Sequence, residues 1–170
     1  EKPFTANYSE AKELYALAEE KHQVLLEAIS NQHNENVAKM KELLPQLGRI
    51  RLVSFSFAKR SSRYEDFKKD LISPSFSARY AGGALMDLNV YNVHLAVKLF
   101  GMPRSVKYAA NIQKDVDTSG VLLLNYDGFK AVLTAGKDCD LPLENVIAGE
   151  NGVIRFHSPV NTVDSFALQL

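Results

Sequence analysis

One cysteine, Cys139, is all that the 170 residues offer to thiol chemistry. No disulfide can form within the chain, and the expected setting is cytoplasmic rather than oxidising. Cys139 lies between Asp138 and Asp140, an acidic setting that raises a thiol pKa and makes a poor nucleophile. Net charge is also missing. The 20 basic and 20 acidic side chains cancel, which gives no electrostatic case for nucleic acid or an anionic membrane. No apolar run approaches the roughly 18 residues of a membrane helix, and no segment reads as a signal peptide. His22, His33, His94 and His157 are scattered, without a metal-ligand spacing. There is no phosphate-binding glycine motif, no repeat, no low-complexity tract and no coiled-coil heptad.

What is present is an ordinary globular composition, 46% hydrophobic and 24% charged, in a chain long enough for a sizeable core. "TANYSEAKELYALAEEK" predicts a helix. Asn7 and Glu10 have capping-box spacing, and Ala11, Leu14, Leu17 and Ala18 form its apolar face. "QVLLEAI" (23–29) runs apolar without alternation, as a strand covered on both faces does. Helix then strand is half of a βαβ unit. The first 30 residues therefore read as the tail of a parallel α/β domain, and the chain as a piece that ends within the strand-like "SFALQL". A second amphipathic helix is expected at 34–48, ended by Pro45 and Gly48.

Beyond it, strands are expected at 49–58, 105–112, 120–126, 129–136, 145–149, 153–158 and 163–170. Asp127-Gly128 makes a two-residue hairpin turn, and Glu150-Asn151-Gly152 a second turn. The expected class is α+β: a large open, mainly antiparallel mixed sheet with helices on one face. Residues 31–170 form that domain, after the helix and strand of residues 1–30. Residues 59–81, polar and aromatic, form a connection long enough to be functional or mobile.

The segment "GGALMDLNVYNVHLAVKLFG" (82–101) is mostly apolar but carries Asp87, Tyr91, His94 and Lys98 at steps of four, three and four. On a helix these share one face. Two readings are open. On the first, the polar groups of a buried helix are simply paired with neighbours, since buried polar groups must find partners. Alternatively, they form an acid/base cluster facing a cleft, where a nearby cation lowers the phenol's usual pKa of about 10. Gly82-Gly83 lets the backbone pass close to something bulky. Lys2, held out of a helix by Pro3, sits just before the first helix. That places it where ligands bind in open α/β sheets, beyond the carboxyl end of a strand.

Glu1-Lys2-Pro3, followed some eighty residues later by the Gly-Gly…Asp-x-x-x-Tyr of "GGALMDLNVY", resembles the Gfo/Idh/MocA family of nicotinamide-dependent oxidoreductases. The resemblance covers nearly the whole chain in element order. It implies NAD or NADP as cofactor, with Glu1, Lys2 and Pro3 on its side of the site. Lys2 matches the family lysine between nicotinamide and substrate, and Pro3 a proline often preceded by a cis bond. Asp87 matches the aspartate that holds substrate. Tyr91 stands where the glucose-fructose oxidoreductase and dihydrodiol dehydrogenase branch has tyrosine and the inositol dehydrogenase branch has histidine.

The resemblance makes Lys2, Asp87 and Tyr91 the expected catalytic residues, and Asp87, Tyr91 and His94 the expected substrate contacts. Lys2 would lower the Tyr91 pKa. The implied partner is a small sugar, polyol or diol, and the implied assembly a homodimer or homotetramer through the open sheet, with Val121, Leu123 and Val132 as candidate contacts. Ala81 replaces a usual glycine, and Asn89 another. The loop with Arg63, Tyr64 and Arg79 would shape substrate choice. A non-catalytic sugar sensor of the same fold is the alternative, which Lys2 and Tyr91 together argue against. A free-standing dimerisation domain is the third reading.

Overall fold

The computed structural model describes residues 2–170. Glu1, expected on the cofactor side, lies outside the described residues. Helix α1 (Tyr8–Glu20) begins as its sequence predicts, with the Asn7 side chain accepting from the Glu10 amide at 3.0 Å. Glu10 in turn accepts from the Ala6 amide at 2.9 Å, so one orphan donor of the first turn and the amide just before the cap are met. None of its residues is buried.

The strand expected at 23–29 does not form. These residues are irregular, and Val24 is 85% and Leu26 76% exposed. An apolar run becomes a strand only where a neighbour completes its ladder, and no described strand lies beside this one. A 3₁₀ turn (Ser30–His33) leads to α2 (Glu35–Leu43), capped by Asn34, and to a 3₁₀ turn (Leu44–Leu47) at Pro45. Gly48 follows with φ +68°, so proline and glycine end the helix as expected.

Among the described residues seven strands form one mixed sheet: β1 (Ile50–Ala58), β2 (Ser105–Gln113), β3 (Val116–Tyr126), β4 (Phe129–Gly136), β5 (Asn145–Gly149), β6 (Val153–Phe156) and β7 (Ala167–Gln169). Their order is β2-β3-β4-β1-β5-β6-β7. Among the described residues only β1 and β4 pair in parallel. The β3–β4 hairpin turns at Asp127-Gly128, where Gly128 has φ +82°. The last strand is shorter than its apolar pattern suggests. Val163 is instead buried in the core, and the Val163 and Asp164 carbonyls accept from Asn36 at 3.0 and 2.9 Å.

Period-two alternation sends Val53, Phe55, Leu122, Leu124, Ala131 and Leu133 to one face, against Val37 and Met40 of α2 and Leu95, Ala96 and Leu99 of α4 (Val90–Phe100). Each of these side chains larger than alanine contributes about 1.5–3 kcal/mol. Among the described residues no helix packs on the opposite face. By register that face carries Val121, Leu123, Val132 and Leu52, with Leu52 52%, Val121 41% and Leu123 37% exposed.

The long connection is more ordered than its composition suggests. It holds α3 (Tyr64–Lys68) and two 3₁₀ turns, Pro74–Phe76 and Ala78–Tyr80. Tyr64, Phe67 and Phe76 stack on one another and, with Val116, make a second small core.

Candidate active site

The polar-striped helix does not start as an α-helix. Residues Leu85–Asn89 form one π-helical stretch, and α4 continues from it. Asp117 anchors that start, accepting from the Leu85 amide at 2.7 Å and from the Tyr108 hydroxyl at 2.5 Å. Burial and the Asp117 carboxylate push the Tyr108 phenol well above its ordinary value. Gly83, at φ +118°, lies so close that a Cβ there would overlap the Asp117 carboxylate. The bulky neighbour that the paired glycines imply is thus Asp117 together with the Pro74–Ser75 backbone beside Gly82. Asn89 is fully buried, donating to the Leu133 carbonyl at 3.3 Å and accepting from Asn92 at 2.8 Å. It packs the helix on β4.

The stripe faces the N-terminal segment. Asp87 Oδ1 accepts from Lys2 Nζ at 2.7 Å, and the Asp87 carbonyl accepts from the same ammonium. Lys2 Nζ also lies 4.9 Å from the centre of the Tyr91 ring. The Lys2–Pro3 peptide is cis. His94 Nε2 is 3.0 Å from Glu27 Oε2, and Glu27 Oε1 accepts from the Phe4 amide at 3.2 Å. Asn31 donates to the Tyr91 carbonyl at 2.9 Å and Gln32 to the His94 carbonyl at 2.9 Å. Lys98 donates to the Gln32 carbonyl. Each stripe residue therefore has a partner among residues 2–32, and both readings of the stripe contain part of the arrangement. It is a polar seam, and at its Asp87 end it opens onto a cleft.

That cleft, about 480 Å³, is lined by Lys2, Pro3, Phe4, Glu10, Ser75, Arg79, Tyr80, Gly82, Met86 and Asp87. A second cavity of about 420 Å³ reaches Asp87 from the sheet side, between Phe57, Lys59, Ser61, Ser62, Leu88 and Lys137. Tyr91 lines neither cavity; it touches Lys2 and Phe57. His94 lies farther along the seam, on Glu27. Of the loop residues, Arg79 reaches the cleft, whereas Tyr64 belongs to the small aromatic core and Arg63 is exposed.

Asp87 has a second cation. Lys137 Nζ donates to its Oδ2 at 2.7 Å. Burial pushes the Asp87 carboxyl up, but the Lys137 and Lys2 ammoniums outweigh it and hold the group below the ordinary aspartate value. Nothing local flags Lys137: it follows an apolar strand, fifty residues from its partner. Glu27 is the other group that sequence reasoning missed. Its signal was available, a lone acid in the apolar run "LLEAI". Cys139 is exposed, and burial together with Asp138 pushes its thiol up, in the expected direction. Among the described residues no cluster suits a metal ion, and no helix is long and apolar enough to cross a membrane.

Residues 37–155 match the sequence model of the GFO/IDH/MocA C-terminal domain. The chain is 36% identical over 157 residues to scyllo-inositol 2-dehydrogenase (NADP(+)) IolU of Bacillus subtilis, which covers 91% of this chain and 47% of that protein. It is 30% identical over 133 residues to trans-1,2-dihydrobenzene-1,2-diol dehydrogenase of Oryctolagus cuniculus, covering 75% of this chain and 38% of that one. The chain thus spans less than half the length of these relatives. In fold it is similar to levoglucosan dehydrogenase solved with NADH and levoglucosan, with a TM-score of 0.82 at 19% identity over 98% of this chain and 48% of that one.

Proposed function

From the premise that this chain belongs to the GFO/IDH/MocA family through its C-terminal domain, we propose that it is the substrate-domain portion of an NAD- or NADP-dependent dehydrogenase acting on a hydroxyl carbon of a sugar, polyol or diol. One observation carries the reading. The Lys2 ammonium lies at once on the Asp87 carboxylate and over the Tyr91 ring, which joins it to two residues of a distant helix, and Lys2 and Asp87 line an open cleft. The names of the relatives, an inositol and a dihydrodiol dehydrogenase, support the substrate class.

The residues present suit one end of the cofactor. The cleft at Lys2 and Pro3 is open and carries an ammonium beside apolar Phe4 and Met86, which fits a nicotinamide ring. The 170 residues contain no glycine-rich turn for a pyrophosphate. In this reading residues 1–30 are the tail of a dinucleotide-binding domain, and the phosphates and ribose are held by residues outside this chain. The apolar side chains left open at Val24 and Leu26 support that division. When bound, NAD or NADP supplies the hydride acceptor or donor.

The protein's part is orientation and proton handling. Asp87 accepts from the substrate hydroxyls and fixes the reacting carbon. Tyr91 takes the hydroxyl proton in the oxidation direction, and Lys2 stabilises the negative charge that develops on oxygen. Proton handling of this kind is worth about 10²–10⁴-fold. Lys2, Asp87 and Tyr91 are the proposed catalytic group. His94 serves the substrate side indirectly, by holding Glu27 and through it the Phe4 amide.

The helix-free sheet face supports a second proposal, that two copies pack through Val121, Leu123 and Leu52 in a homodimer or homotetramer. Exposed apolar positions clustered on one face are what such an interface needs. Sedimentation equilibrium of the full-length protein tests it, and a monomer would overturn it.

The first test of function is nicotinamide fluorescence on titrating NADH and NADPH into the full-length protein and into this chain. Binding by the longer protein alone is expected. In the full-length protein Tyr91→Phe should then lower turnover about 100-fold or more. Binding of neither coenzyme by the longer protein, or full turnover by Tyr91→Phe, would overturn the reading and bring a sugar-sensing role forward.

A further inference from the structure

Lys137 is the least exposed charged group at the site, with its side chain 2% accessible. It directly follows β4, and its backbone is tied on both sides. Its amide donates to the Thr118 carbonyl at 2.7 Å, and its carbonyl accepts from the Ser61 amide at 2.8 Å. Its ammonium meets three groups from two other segments: Asp87 Oδ2 at 2.7 Å, the Ser75 carbonyl, and the face of Phe76, 4.2 Å from the ring centre. An ammonium has three donors, and these three neighbours use them.

That arrangement is not explained by stability. Taking an ammonium out of water costs several kcal/mol, and well-packed apolar residues often replace a buried ion pair at no loss. Burial draws the Lys137 ammonium below its ordinary value, with Asp87 acting against the shift. Its placement has a geometric consequence instead. The Asp87 carboxylate is held by one oxygen from the sheet side and by the other, at 2.7 Å, from Lys2. It cannot rotate without breaking both bonds.

We propose that Lys137 is a positioning residue: from beneath the helix it fixes Oδ2 of Asp87, so that Oδ1 presents to Lys2 and to a substrate hydroxyl in the cleft. This rests on the dehydrogenase reading above for its chemistry, though not for its geometry. Lys137 acts through Asp87. Its ammonium need not touch the reacting atoms.

The test uses the full-length protein with the coenzyme and polyol it turns over. Lys137→Met keeps the length of the side chain and removes the charge. It should lower kcat about tenfold or more while the KM for coenzyme stays constant. The acid limb of kcat/KM should move to higher pH, because Asp87 loses an ammonium that holds its carboxyl low. Lys137→Arg, which keeps the charge with a planar head, should recover part of kcat and return the acid limb.

Wild-type kcat with an unmoved acid limb in Lys137→Met overturns the proposal. Carbon-13 NMR titration of the Asp87 carboxyl in the parent protein is the readout that needs neither activity nor a variant. Titration below the free-aspartate value of about 3.9 is expected, and titration at or above it overturns the proposal even where Lys137→Met fails to fold. A parent protein without turnover on any coenzyme would defeat the dehydrogenase reading, and an Asp87 titration that rises in Lys137→Met and returns in Lys137→Arg would still separate the part of Lys137 from that of Lys2.

Discussion

Residues 2–29 and the sheet that follows are held by different forces. In the sheet body Phe55, Leu133 and Ile147 are fully buried, and the faces of α2 and α4 close over them. In α1 no residue is buried, and Leu17, Val24 and Leu26 lie 48%, 85% and 76% exposed. Apart from Ile29, which is buried, what ties the segment down is a row of polar contacts, Lys2 on Asp87 and Glu27 between His94 and the Phe4 amide, continued just beyond it by Asn31 and Gln32 on α4 carbonyls. The candidate site sits on that seam. Its rigid half, Asp87 and Tyr91, stands on the packed body. Its other half, Lys2, depends on hydrogen bonds and charge. The geometry of the candidate site therefore depends on the seam more than the fold does.

The largest effects separate the two regions directly. In the 170-residue chain Phe55→Ala should cost about 3–5 kcal/mol by urea unfolding, and Leu26→Ser should stay within about 0.5 kcal/mol. Similar costs would break the comparison.

A smaller effect comes with acid. The native Asp87 carboxyl lies below its unfolded value of about 3.9. Its stabilisation is thus complete above about pH 4 and is lost as pH falls through the lower native value. Since Asp87 carries the Lys2 contact, amide exchange in residues 2–29 should rise roughly fivefold, about 1 kcal/mol, before β3 and β4 lose protection. Simultaneous loss in both regions would mean that they open as one unit. The smallest effect is that of Glu27→Gln, within about 0.5 kcal/mol. It should appear as faster exchange at the Phe4 amide, with α4 unchanged.

Much of the body was legible because its signals are local. Asn7 caps its helix, Pro45 and Gly48 end another, and Asp127-Gly128 turns a hairpin. The run at 23–29 was read as a strand because its side chains suit one, yet a strand also needs a neighbour. At the site, the spacing of Asp87, Tyr91, His94 and Lys98 was legible as a stripe. Its partners were not, since spacing along one helix carries no information about what packs against it.

The sequence by itself determined which residues could be helix, turn and sheet, and that Asp87, Tyr91, His94 and Lys98 share one helix face. Periodicity and capping are properties of neighbouring residues, so they survive in one dimension. Only the tertiary structure decided that Asp87 lies between two ammoniums, that Tyr91 touches Lys2 while standing outside both cavities, and that Val121 and Leu123 take the face without helices. Those are matters of sheet order and of which segments meet across fifty to eighty residues, and only the folded chain brings such segments within 3 Å of one another.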